Sequence, residues 1–140
     1  MNKKIMAITL LLVSITLATS VVSAGLFDSD NKNDDLNVSN IEIKSEGYSM
    51  YKVNCELTPK KDFNYLEMEV IFYDSSGAVV GKSPLAWNMN DVKKDQLIKV
   101  SGNAITDDSS ANPATAEVKF KDSSFGSSDD AIYSENVTMT

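Results

Sequence analysis

The stretch "LEMEVIFYDSSGAVVG", residues 66–81, decides how the rest of the chain is read. Leu66, Met68, Val70 and Phe72 alternate with Glu67 and Glu69, the period of two that marks a strand with one covered face. Ile71 and Tyr73 then make both faces apolar. The strand is expected to begin at a solvent edge, with Glu67 and Glu69 wet, and to run under cover. Asp74-Ser75-Ser76-Gly77 follows, ahead of Val79, Val80 and Gly81. Its D-x-x-G spelling serves nucleotide hydrolases only beside a G-x-x-x-x-G-K-[ST] phosphate loop, and the sequence has none. An Asp at the first turn position accepts hydrogen bonds from the backbone ahead of it, and Gly77 supplies the left-handed conformation that closes a hairpin. The stretch reads as a corner between two strands.

Outward from that corner the same pattern repeats. In "YKVNCEL" (51–57), Tyr51, Val53, Cys55 and Leu57 share one face and Lys52, Asn54 and Glu56 the other. "NIEIK" (40–44) sets Ile41 and Ile43 on one side, and "LIKV" (97–100), "AEVKF" (116–120) and "AIYSENVTM" (131–139) continue the series. After residue 24 no window holds the i, i+3, i+4, i+7 stripe of a helix. "TPKKDFN" (58–64) and "SSANPAT" (109–115) are polar, proline-bearing loops, and "KDSSFGSSDD" (121–130) is a longer, acidic, Ser-rich loop expected to be the most mobile. Six to seven short strands divided by Gly, Pro, Asn, Asp and Ser predict an all-β antiparallel sandwich over residues 38–140.

Residues 52–101 resemble the FxLYD family of small extracytoplasmic domains. That family pairs a strand of V-x-V-x-F-Y-D character with a short glycine turn and a strand of the G-x-V-V-G type. Val70, Phe72, Tyr73, Asp74, Gly77, Val79, Val80 and Gly81 occupy those positions. Phe72 and Tyr73 are adjacent where the family usually has a leucine between them, and Asp95 stands at a turn where it commonly has glycine. The resemblance covers about fifty residues, mostly core positions. It implies an immunoglobulin-like β-sandwich and an exported location, and it carries over no catalytic or ligand-binding residue.

The N-terminal residues 1–24 place Lys3 and Lys4 before an apolar run from Ile5 to Val22, and close on Val22-Ser23-Ala24. Basic start, apolar middle and small-residue site are the order of a signal peptide. The run is also just long enough for an uncleaved membrane anchor; the cleavage site favours removal. Either way the lysines stay inside and the remainder is expected outside the cytoplasm. Residues 25–37, rich in Asp and Asn, read as an acidic flexible spacer. Asp28, Asp30, Asp34 and Asp35 lack the turn glycine and closing Glu of an EF-hand.

Of 140 residues, 13 are basic and 20 acidic; removing Lys3 and Lys4 leaves 11 basic residues, all lysine. Such an acidic surface repels nucleic acid and anionic lipid. The chain has no histidine, so Ser-His-Asp, Cys-His and histidine-metal chemistry are excluded. Its single cysteine, Cys55, forms no internal disulfide and reads as a small core hydrophobe. Glu67 and Glu69, about 7 Å apart by strand rise, are the one carboxylate pair that a hydrolase could use. In "SPLAWNMND" (83–91), Leu85, Trp87 and Met89 alternate. Trp87 is therefore either core at an open end of the sandwich or, beside Asn88 and Asn90, a contact for a sugar or partner. Asn37 and Asn136 begin N-x-[ST] sequons, Asn37 the better placed in the spacer.

No catalytic residue, cofactor or metal site is predicted. The expected function is a non-enzymatic exported or cell-surface module that meets a protein or glycan partner and touches membrane only through its N-terminal segment. The alternative is a cation- or small-ligand-binding surface protein using loops 107–110 and 127–130; a secreted carboxylate hydrolase ranks last.

Overall fold

The computed structural model describes residues 35–140. The leader over 1–24 and the spacer as far as residue 34 lie outside the described residues. Seven strands follow in order: β1 (Leu36–Gly47), β2 (Met50–Pro59), β3 (Phe63–Tyr73), β4 (Val79–Val92), β5 (Ile98–Ile105), β6 (Thr115–Lys121) and β7 (Tyr133–Thr138). They form two antiparallel sheets, β1-β2-β5 and β4-β3-β6-β7, the two layers of a β-sandwich. The expected all-β architecture is present, and each strand named from the pattern is found.

The core lies between the sheets. Val53 and Leu57 of β2, and Val100 of β5, face Leu66, Met68, Val70 and Phe72 of β3 with Val118 and Phe120 of β6. Aromatic rings pack the core: Tyr51 meets Phe72 across the layers with centroids 4.8 Å apart, and within the four-stranded sheet Phe120 takes Trp87 and Tyr133 edge-on at 6.2 and 6.1 Å. Burial pushes the Cys55 thiol up to about 12, so this inward side chain packs as an apolar group.

Two bulges explain where strand bounds depart from expectation. β1 begins at Leu36, inside the stretch read as spacer. Its register slips between Ser39 and Glu42, and Asn40 takes a left-handed φ of 56°. The extra residue reverses the alternation, so Leu36 and Val38 ahead of it and Ile41 and Ile43 behind it all pack on the core. Asn37 consequently lies on a strand opposite Thr58, not in a spacer. In β4 the register slips between Met68/Trp87 and Val70/Ser83. Trp87 and Met89 pack against the core, whereas Leu85 is turned outward, so the three do not share a face.

The corner at residues 74–78 is the hairpin turn that its chemistry predicts. Asp74 Oδ1 accepts from the backbone N–H of Ser76 (2.8 Å) and of Ala78 (3.0 Å) and from Ser76 Oγ (2.6 Å). Those hydrogen bonds, Ser76 first, hold its carboxyl below the usual carboxylate range. Gly77 has φ 83° and donates to Asp74 O at 3.0 Å. Asp95 takes φ 61° in the turn before β5, a left-handed conformation that Asp tolerates better than most residues, and its N–H reaches Pro59 O at 2.8 Å.

Candidate functional site

The outward face of the four-stranded sheet carries an ionic ladder. On β3, Glu67 and Glu69 point away from the core; on β6 they are registered against Lys121 and Lys119, with Glu117 opposite Ile71. Alternation puts all of these side chains on one face. Lys121 Nζ lies 3.0 Å from Glu67 Oε1 and 3.7 Å from Glu69 Oε2, and Lys82 of β4 reaches Glu69 Oε1 at 3.0 Å. Tyr65 O–H donates to Glu67 Oε2 at 2.7 Å.

Glu67 and Glu69 are not at a wet end. They are 3% and 1% exposed, and Lys121 is equally buried. The cover is the loop after β6, which folds back over the sheet. Its Ser127 and Asp130 form a reciprocal cap around one 3-10 turn, Ser128–Asp130. Ser127 Oγ accepts from Asp129 N–H, and Asp130 Oδ2 accepts from Ser127 N–H at 3.0 Å. The sheet holds the loop down: Lys121 donates to Gly126 O (3.1 Å) and Lys82 to Ser128 Oγ (2.8 Å), whose hydroxyl in turn donates to Glu69 Oε1 (3.0 Å). Each charge of this covered set faces a partner of opposite sign.

One atom is left over. Glu69 Oε2 accepts no hydrogen bond among the described residues; its ion pair with Lys121 is longer than a hydrogen bond. Beside it, between loop and sheet, lies a hollow of about 420 Å³ lined by Glu67, Glu69, Lys82, Leu85, Phe125 and Ser128 among others. Phe125 stands at its edge with a left-handed φ of 57° and 91% of its surface exposed.

Further along the ladder, burial pushes the Glu117 carboxyl up. Hydrogen bonds from Ser134 (2.8 Å) and Tyr73 (2.9 Å), with Lys119 at 3.2 Å, together outweigh that and hold it below the usual range. The Tyr73 hydroxyl is pushed up to about 12 by burial and by its bond to Glu117.

The residues singled out from sequence do not converge. Trp87 is half-buried on edge strand β4, its ring against Phe120, so it belongs chiefly to the core. Asn136 is exposed on β7 opposite Glu117, at the other edge of that sheet, and Asn37 is exposed on the other sheet altogether. In the loops considered for a cation, Asp108 Oδ1 accepts from Ser110 N–H (2.7 Å) and Oγ (2.9 Å), while Asp130 caps its own turn. Among the described residues no three carboxylates or thiols come together as a metal would need. Sequence reasoning missed Lys121, Lys82, Ser128 and Phe125. A usable signal was present: Glu67-x-Glu69 and Lys119-x-Lys121 have the same spacing and opposite charge, as paired strands require.

No family model and no curated protein matches the chain. Among solved structures, it is similar to β-glucosidase 3B from Thermotoga neapolitana in complex with glucose, with 13% identity and a TM-score of 0.43 over 74% of this chain. It is also similar to a β-glucuronidase from glycoside hydrolase family 2, with 15% identity and a TM-score of 0.44 over 74% of this chain. The chain spans only 15% and 11% of those two chains. Similarity at this level transfers no residue and no activity.

Proposed function

We propose that this protein is an exported, non-catalytic sandwich module of the FxLYD type that acts in interaction or structure outside the cytoplasm, with a protein or glycan as partner. The observation that carries the non-catalytic reading is the position of Lys121. Two carboxylates that cleave a glycosidic bond flank the space where the bond sits; here an ammonium occupies the space between Glu67 and Glu69. The pair is built as sheet structure. The cation-binding alternative carries less, because Asp108 and Asp130 already accept from their own loops.

The immunoglobulin-like reading is supported by strand order. Sheets β1-β2-β5 and β3-β6-β7 correspond to the A-B-E and C-F-G sets of that fold, with β4 added beside β3. The left-handed backbone of Asp95 suits a position where the FxLYD family commonly has glycine. Export rests on the basic, apolar and small-residue order of residues 1–24.

Two measurements test the proposal. N-terminal sequencing of the chain recovered from its own cells is expected to find it in the envelope or medium, starting at Gly25; a cytosolic chain would overturn export. Incubation of the purified protein with chromogenic glycosides and fluorogenic peptides is expected to give no turnover. Turnover abolished by Glu69→Gln would replace this reading with the hydrolase.

A further inference from the structure

We propose, building on the interaction reading above, that the tip of the β1–β2 hairpin and the end of β5 beside it form the docking surface for a protein partner. That partner offers an apolar recess rimmed by lysine or arginine.

The apolar side chains that this molecule exposes gather at the tip. Tyr48 and Ser49 are the two residues of the hairpin loop, and Tyr48 is 95% exposed. Beside it Met50 of β2 is registered against Ile105 of β5, both on the outward face of the three-stranded sheet and both exposed. Thr106 N–H donates to Ser49 O at 3.0 Å, which ties the end of β5 to the loop. Val79 is exposed at the same end, next to Val80, whose carbonyl accepts from Asp107 N–H at 2.9 Å. These are four of the seven large apolar side chains exposed among the described residues, and none of them belongs to the core cluster. Tyr and Met are types enriched where proteins meet.

The loop carries residues that its backbone does not favour. φ is 52° at Tyr48 and 70° at Ser49. Two positive values in a two-residue hairpin loop are the mark of a type I′ turn, for which Asn-Gly is the preferred pair. A bulky residue in the left-handed region costs stability, and this ring recovers none by packing. A ring placed at such a cost and packed on nothing acts outside the molecule.

The charge around the tip has one sign. Glu46, Asp107 and Asp108 are exposed there, while residues 45–51, 74–81 and 101–118 contain no lysine. Asp108 is engaged by Ser110 in its own turn, but Glu46 and Asp107 form no ion pair among the described residues. Lys52, the next residue down the outward face from Met50, is turned to Asn103 Oδ1 at 3.2 Å. A second copy docked tip to tip would set carboxylate against carboxylate, and an anionic membrane would meet the same repulsion. Cations complement this rim, and a recess complements the Tyr48 ring. β1 also carries the tip about 36 Å, by strand rise, from Leu36, where residues 1–34 join, so the face stands clear of that attachment.

The test places a photo-crosslinking phenylalanine analogue at position 48 of the full chain in its own cells, with position 61, at the opposite end, as control. Position 48 is expected to trap a protein that position 61 does not. That protein, once purified, is expected to bind the full chain more weakly as salt is raised. Tyr48→Asn with Ser49→Gly is expected to weaken the binding about tenfold or more while raising the melting temperature, because the new pair suits the turn. Met50→Ser with Ile105→Ser, at exposed positions, is expected to weaken it as well. A trapped second copy of this chain, no protein trapped at 48, binding indifferent to salt, or binding unaltered by the Tyr48/Ser49 pair would each overturn the tip as docking face. A fall in melting temperature with that pair would assign Tyr48 to the fold and overturn it too. A partner trapped at 61 alone would overturn the tip and leave the interaction reading intact, whereas turnover of a substrate would remove the non-catalytic reading and leave the tip.

Discussion

Met68, Val70 and Phe72 point inward from β3 while Glu67 and Glu69 point outward, and both sets are sealed from water. The inward set is sealed by the opposite sheet, and the outward set by one loop and two lysines, Lys82 and Lys121. An apolar face gains stability from any well-packed neighbour, because the hydrophobic effect has no direction. An ionic face gains it only while every charge keeps its partner, and the loss of one member leaves another buried and unpaired. The two faces of one strand should therefore fail in different ways.

The sharpest break in the inner face is Phe72→Ala. It removes a fully buried ring that touches Tyr51, and unfolding in urea should show a loss of about 3–5 kcal/mol. On the outer face, Lys121→Met should cost nearly as much, about 3 kcal/mol, although it keeps the side-chain volume, because it leaves buried Glu67 with no cation and Glu69 with Lys82 alone. A loss below about 0.5 kcal/mol would mean that water reaches the ladder, as surface substitutions commonly stay within that range.

Acid should separate the faces further. Glu117 is held below its ordinary value, so its contribution is complete above about pH 4.5 and is lost as pH falls through its lower folded value. The stability difference between the protein and Glu117→Gln should accordingly shrink from pH 7 to pH 3, whereas the effect of Phe72→Ala should hold. A Glu117 difference that grows in acid would reverse the assignment. The smallest change is expected from the largest substitution: Glu67→Leu, Glu69→Leu and Lys121→Met together should leave stability within about 1 kcal/mol, since apolar replacement of a whole buried ion set is often neutral or stabilising. A loss equal to that of Lys121→Met alone would show that shape, not charge pairing, governs this face.

Much of the sandwich was legible because a period of two needs only the chain itself. Val53, Cys55 and Leu57, or Val70 and Phe72, announce their common face. The pattern failed where a bulge reset the phase: Leu36 and Val38 are out of step with Ile41 and Ile43, and Leu85 with Trp87. The site was harder to read. Glu67 and Glu69 have the alternation of solvent-facing charges, and nothing within ten residues of them says otherwise. Their burial is decided by a loop more than fifty residues later, whose fold depends on Ser127 and Asp130 capping each other. Trp87, the most conspicuous residue on the chain, drew attention to the inner face of the same sheet, while Phe125 sat in what read as a mobile loop.

The bulge at Asn40 matters for how the molecule keeps to itself. A sheet edge is a row of unpaired amides that can recruit another chain, and this protein has no disulfide to hold it shut while it folds. At Asn40 the row is kinked by a left-handed residue, and beyond it Glu42, Lys44 and Glu46 bring charge to the rim. The β4 edge is interrupted by Pro84, which has no N–H to offer, and β7 is only six residues long. Each of these three edges is blunted by a different device. Deleting Asn40 would straighten β1 into a flat, in-register ribbon, and the penalty would appear as clumping between molecules more than as loosening within one.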